Sequence, residues 1–295
     1  MRVVMTLIAA ARAQSDLPGI IAALVDDLPS SEMPDWLAPG IACDLALAAG
    51  DAATAEQAAR RAIGSRAIDV LVQPAEGRRK RVLVADLEST IIENEMLDEL
   101  AGFLGLRDHV AAITARAMNG ELDFAAALAE RVALLKGLPE SVLDEAAMRI
   151  RLMPGARALL ATSRTHGVRT ALVSGGFTVF AERIAAELGF DRVVANRLDI
   201  AGGRIAGTVA RPLVTGETKR AALLELVVEE GVSPEAALAV GDGANDSAML
   251  AAAGLGVAFH AKPAVAAAAR WRIDHADLTG LLYAQGYRAA EIIPA

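Results

Sequence analysis

Apolar and polar positions along the chain fall into three regimes. Up to about residue 76, apolar runs near 2–9, 40–48 and 68–73 are separated by helically spaced patterns near 16–27 and 53–63. Short aliphatic runs bounded by turn residues predict strands, and 3.6-residue spacing predicts helices, so this stretch is expected to form a small α+β unit. Pro74 to Lys80, with Gly77 and three consecutive basic residues, predicts a linker. A Val-rich run from Arg81 to Ala85 then predicts a buried strand, and it stops abruptly at Asp86 and Glu88. From about 92 to 151 the pattern is helical throughout, with breaks at Gly102 to Leu106, Asn119-Gly120 and Gly137 to Pro139, and no strand is expected there. After Met153-Pro154-Gly155 the pattern alternates: helix 156–166, strand 168–173, helix 177–188, strand 192–195, helix 217–230, strand 236–240, helix 245–253 and strand 255–259. A hairpin is expected where 196–200 and 204–209 flank Gly202-Gly203. Repeated βα units imply a largely parallel sheet covered by helices on both faces. The expected class is therefore α/β in two domains, 1–76 and 77–295, the second carrying a helical cap at about 92–151 over the mouth of its sheet.

Composition narrows this picture. Hydrophobic residues make up 54% of the 295 and aromatics only 3%, which suits helices packed on a sheet better than an aromatic-cored sandwich. A net charge of -8 argues against nucleic-acid or anionic-membrane partners, which need a basic footprint. The single cysteine, Cys43, excludes an internal disulfide and a cysteine metal site, and fits a reducing cytoplasm. Arg2, the apolar run from Val3 to Ala10 and Ala11-Arg12-Ala13 look superficially like a signal peptide, but the run is short and equally describes a strand. No stretch reaches the 18 or more apolar residues of a membrane span.

Candidate chemistry gathers where expected strands end. Asp86 and Glu88 follow the first, at the sheet edge where open α/β folds bind ligands. Ser174-Gly175-Gly176 follows the second; a hydroxyl and unhindered N–H groups ahead of a helix suit an anion, although the triplet is also a good turn. Lys219 stands near the start of the helix at 217, in a chain with four lysines against 25 arginines, so a compact cation is notable there. The strand at 236–240 runs into Gly241-Asp242-Gly243-Ala244-Asn245-Asp246, a Gly-bounded turn with hard oxygen ligands of the kind Mg²⁺ takes. The spacing is not that of an EF-hand.

In this order, Asp86-Leu87-Glu88-Ser89-Thr90, Ser174-Gly175-Gly176-Phe177, Lys219 and Gly241 to Asp246 resemble the four motifs of haloacid-dehalogenase (HAD) superfamily phosphatases. Within that superfamily, Glu95 to Leu100, Ala117 to Phe124 and Arg131 to Lys136 are similar to the phosphoserine phosphatase family. The resemblance covers about residues 81–280. It implies a Rossmann-like parallel core with a cap insertion, and a Mg²⁺-dependent hydrolysis of O-phospho-L-serine in the cytoplasm, the last step of serine biosynthesis. Asp86 would be the nucleophile that becomes phosphorylated and Glu88 the general acid. Asp86, the backbone carbonyl of Glu88 and Asp242 would hold Mg²⁺, with Asp246 supporting that shell. Ser174, the Gly175 N–H and Lys219 would bind the phosphoryl oxygens, and Asn245 would position the substrate. In the cap, Arg131 would pair with the substrate carboxylate and Glu95 with its ammonium. Met118 and Phe124 would close over them, a role for which core packing is an equal alternative. The N-terminal order resembles a ferredoxin-like or ACT-like module, one strand of which is hard to find; a structural or dimerising role is expected ahead of amino-acid sensing.

One position departs from the family pattern. Glu88 stands where a second Asp is usual, and the extra methylene moves the carboxyl by about a bond length, enough to matter where placement tolerates about 0.5 Å. A phosphoserine:homoserine phosphotransferase group also carries Glu there. Phosphoryl transfer to another hydroxyl amino acid, hydrolysis of another small phosphomonoester, and a catalytically weak amino-acid-binding regulator are the competing expectations.

Overall fold

Alternation along the first strand sets the N-terminal architecture. The computed structural model describes residues 2–28, 33–48, 52–118 and 123–294. β1 (Arg2–Ala9), α1 (Leu17–Asp27), β2 (Asp35–Ala38), β3 (Ala42–Ala48), α2 (Ala52–Ile63) and β4 (Ile68–Pro74) form an antiparallel sheet in the order β2-β3-β1-β4. This is the ferredoxin-like arrangement the pattern suggests. Its missing strand is β2, four residues between Pro34 and Pro39, too short to show a period in the sequence. Alternate residues Met5, Leu7, Cys43, Leu45 and Val70 pack beneath α1 and α2. Ile8, Ala42 and Leu71 on the opposite face join the core of the rest of the chain. The module therefore has helices on one face and the C-terminal region on the other.

The second sheet has six parallel strands in the order β12-β11-β10-β5-β6-β7. Its members are β5 (Val82–Ala85), β6 (Arg169–Phe177), β7 (Arg192–Asn196), β10 (Ala237–Gly241), β11 (Leu255–Phe259) and β12 (Trp271–Ile273). β5, β10 and β11 are buried at every residue, as continuous apolar runs between helical layers should be. The helices are α7 (Ala156–Thr165), α8 (Thr178–Leu188), α9 (Gly216–Glu229), α10 (Ser247–Ala252) and α11 (Pro263–Ala268), with α12 (Gly280–Ala284) near the C-terminus. β12, three residues with Arg272 in the middle, was not expected from the pattern. Pairing aligns Val240, Ala85 and Leu172 across β10, β5 and β6, so the three strands end side by side.

Between β5 and α7 lie α3 (Met96–Gly102), α4 (Arg107–Met118), α5 (Phe124–Ala133) and α6 (Ser141–Ala147), the helical insertion the sequence predicts. A bridge between Ile92 and Leu152 closes its root. The expected hairpin forms from β8 (Leu198–Ala201) and β9 (Arg204–Val209). It props the insertion rather than extending the parallel sheet: Pro139 bridges Arg204, and the Gly137 N–H donates to the Ile205 carbonyl at 2.9 Å.

Pro74 to Lys80 joins the two sheets, but not as a free tether. Arg78 Nη1 meets Asp44 Oδ2 at 2.6 Å and Arg78 Nη2 donates to Thr6 Oγ1 at 3.0 Å and to the Ala284 carbonyl at 3.2 Å. Gln73 donates to the same carbonyl at 2.6 Å, and buried Asp69 accepts from the N–H groups of Asp274, His275 and Ala276. Among the described residues, no helix is long and apolar enough to cross a membrane.

Candidate active site

Asp86 is the first residue past the central strand, and its N–H donates to the Val240 carbonyl at 3.0 Å, which continues the ladder and holds the side chain at the rim. Lys219 comes from the first turn of α9, whose start is fixed by a reciprocal cap between Thr215 and Thr218. Its ammonium donates to Asp86 Oδ1 at 2.5 Å and to Asp246 Oδ1 at 2.7 Å. Lys219 is fully buried. Asp242 leaves β10 beside Asp86. Gly241 is needed there, because a Cβ would come within 2.4 Å of Asp246 Cγ. Asp86, Asp242 and Asp246 each place a carboxylate oxygen within 4.8 Å of the others, and all three are buried.

Three carboxylates against the buried Lys219 ammonium and the half-exposed Lys262 leave excess negative charge at the rim. Burial first, then the charge of Asp246, pushes the Asp86 carboxyl well above its ordinary value. Burial likewise pushes Asp242 up to about 6. For Lys219 burial alone would favour the neutral amine, but Asp86 and Asp246 outweigh it and hold the proton more tightly than usual. Hard oxygens converging with uncompensated charge fit a divalent cation, and Mg²⁺ suits such a donor set.

The structure also brings the second motif here. Ser174 Oγ accepts the Gly176 N–H at 2.9 Å, which folds the Ser-Gly-Gly turn at the end of β6. Asn196, at the end of β7, donates to the Gly175 carbonyl at 2.8 Å and accepts the Val214 N–H at 2.8 Å. It fixes the turn from behind, and sequence reasoning missed it, since a lone Asn after a strand also suits a plain turn. Phe124, at the start of α5, overhangs the turn: a Cβ on Gly175 would lie 3.3 Å from its Cζ. Asn245 Nδ2 is 3.9 Å from the same point. The insertion thus covers the rim.

Glu88 is not part of the carboxylate cluster. Its Oε1 accepts the Met96 N–H at the start of α3 at 2.9 Å, so the longer side chain reaches toward the insertion. Gly176 makes room, as a Cβ there would fall 2.8 Å from Glu88 Oε2. Burial, and then the charge of Glu95, pushes the Glu88 carboxyl up to about 8. Ser89, at φ 56, donates to Glu95 Oε1 at 2.8 Å and holds that exposed carboxylate beside the loop after Glu88. Arg131 donates to the Ala127 carbonyl at 3.1 Å, and Glu88, Asp98 and Glu95 lie near its half-buried guanidinium. Lys262, which the sequence did not single out, approaches Asp242 Oδ2 at 3.5 Å. Met118 ends α4, and its side chain lies outside the described residues.

Residues 83–251 match the model of the haloacid dehalogenase-like hydrolase family. The chain is 46% identical over 215 residues to the phosphoserine phosphatase SerB2 of Mycobacterium tuberculosis, a match over 73% of this chain and 53% of that one. It therefore spans about half the length of that curated relative. Among solved structures it is similar to a HAD family hydrolase of Salmonella enterica serovar Typhi, with TM-score 0.85 and 28% identity over 96% of this chain and 97% of that one. It is also similar to a phosphoserine phosphatase carrying a phospho-aspartyl intermediate analogue, with TM-score 0.66 and 37% identity over 70% of this chain and 98% of that one.

Proposed function

The chain belongs to the haloacid dehalogenase-like hydrolase family, and from that premise we propose that it hydrolyses O-phospho-L-serine to serine and phosphate through phosphorylated Asp86, with Mg²⁺, as the closing step of serine biosynthesis in the cytoplasm. The observation that carries this reading is the meeting of Asp86, Lys219, Asp242 and Asp246 at the end of the central strand, beside the Ser174 turn.

Lys219, Ser174 and the Gly175 N–H take the phosphoryl oxygens, where charge spreads in the transition state. The Asp86 carboxylate attacks phosphorus as the bond to the serine oxygen breaks, and Glu88 gives that oxygen a proton. Glu88, now a carboxylate, then takes a proton from water as the water attacks the phosphorus, releasing phosphate and restoring Asp86. Held by Asp86 and Asp242, with Asp246 behind them, Mg²⁺ would neutralise the repulsion between the nucleophile and the phosphate dianion. Glu95 and Arg131 suit the ammonium and carboxylate of an amino acid, and Phe124 excludes water over the phosphoryl group.

The Met96 N–H and the space at Gly176 support this role for a Glu where Asp is usual, since the longer arm is folded against α3 instead of overreaching. Steady-state release of phosphate from O-phospho-L-serine with Mg²⁺, abolished by a chelator, tests the function. No release under these conditions overturns it. Added homoserine appearing as phosphohomoserine would favour the transferase reading. Full turnover by Glu88→Gln in both half-reactions would remove Glu88 from the mechanism.

A further inference from the structure

A cavity lies far from this chemistry. Its volume is about 730 Å³, within the range of about 300–1,000 Å³ usual for small-ligand sites. Lys80, Ala236, Gly254 and Arg270 line it; Ala236, Gly254 and Arg270 immediately precede β10, β11 and β12, and Lys80 stands two residues before β5. The cavity therefore sits under the N-terminal ends of four parallel strands, the opposite edge from Asp86.

Its charges are unlike the rest of the basic segment. Arg78 is paired with Asp44 and Arg79 with Glu291. Lys80 is only 8% exposed, yet its ammonium meets two backbone carbonyls, Gly77 and Glu235, both at 2.8 Å. Among the described residues no carboxylate lies within ion-pair distance of it, although the charge of Glu235 acts on it from further off. Arg270 stacks on Trp271, 4.3 Å from the ring centroid, and has no carboxylate partner either. Between these two cations the walls are aliphatic: Leu250, Ala251, Val265 and Ala268. Exposed Glu76 and Glu235 stand at the border and oppose a multiply charged anion.

We propose that this cavity is a second ligand site, taking a small monocarboxylate with an aliphatic body, its carboxylate between Lys80 and Arg270 and its chain against α10 and α11. The chain has two tryptophans, Trp36 and Trp271, so Trp36→Phe leaves one reporter, in the cavity wall. Titrating that protein with 4-methylpentanoate should change its fluorescence and saturate below about 10 mM, as expected for a ligand of this size. The neutral 4-methylpentanamide should give no saturation. Arg270→Gln should weaken the carboxylate at least threefold and Lys80→Met at least tenfold, while Asp86→Asn should leave the titration unchanged. Absence of saturation by the carboxylate, equal response to acid and amide, or loss of the response in Asp86→Asn overturns the proposal. Should Lys80→Met fail to fold, the exposed Arg270 decides, because an unchanged titration in Arg270→Gln also overturns it.

Discussion

Buried charge is handled in opposite ways at the carboxylate rim and at the junction between the two sheets. At the junction, Thr6, Asp44, Asp69 and Gln73 are all nearly inaccessible, and each has partners: Arg78 for Thr6 and Asp44, three N–H groups for Asp69, the Ala284 carbonyl for Gln73. At the rim, Asp86 and Asp246 share the buried Lys219 ammonium and Asp242 has only the half-exposed Lys262, so three carboxylates remain short of positive charge. The junction is satisfied and serves cohesion. The rim stores electrostatic tension, which favours any cation or phosphoryl group that relieves it.

The sharpest way to break this contrast is Asp86→Asn, which should cost at least about 10⁴-fold in turnover of phosphoserine while the protein stays folded. Arg78→Met should do the reverse. It strands the buried Asp44 carboxylate and should lower unfolding stability by about 3–5 kcal/mol, read from denaturant midpoints, with kcat within about twofold below the transition. Arg131→Ala should reduce kcat/KM for phosphoserine by about 10²-fold and for an aryl phosphate by less than about threefold; equal losses would remove the amino-acid reading of the insertion. The smallest effect is the most diagnostic of stored tension. A carboxyl whose value in the folded state lies above its unfolded one stabilises the fold while protonated, and that contribution is lost as pH rises through about 6 for Asp242 and higher for Asp86. Metal-free protein should therefore lose stability from pH 5 to 8, and Asp242→Asn should recover about 1–3 kcal/mol at pH 8 while abolishing stabilisation by Mg²⁺. If the metal-free variant is less stable than the parent at pH 8, the rim is not under the tension described.

The parts of this molecule that were legible in its sequence are those where local pattern and tertiary role agree. Strands buried on both faces read as unbroken apolar runs, and the acids that end β5 and β10 mark the rim because a carboxylate after such a run has nowhere else to go. β2 and β12 were not legible, since three or four residues cannot display a period. Nor were the partners of the junction, because Arg78 and Asp44 are 34 residues apart and Gln73 and Ala284 are 211 apart. Within the site, the roles of Ser89, Asn196 and Lys262 depend on what they face rather than on a motif, and only coordinates show that. Glu88 was legible as a departure from the pattern, while its accommodation by Met96 and Gly176 was not.

The N-terminal sheet, clad by α1 and α2 on one side and meeting Leu281, Leu282 and Tyr287 on the other, has a practical corollary for dissecting this protein. Cutting the chain near residue 77 would bare a greasy underside, part Arg78 from Asp44 and Thr6, and take Asp69 away from the N–H groups of Asp274 and Ala276. Anyone seeking a shorter version must redesign that underside first, and a purification handle belongs on a solvent-facing stretch rather than in place of the first seventy residues.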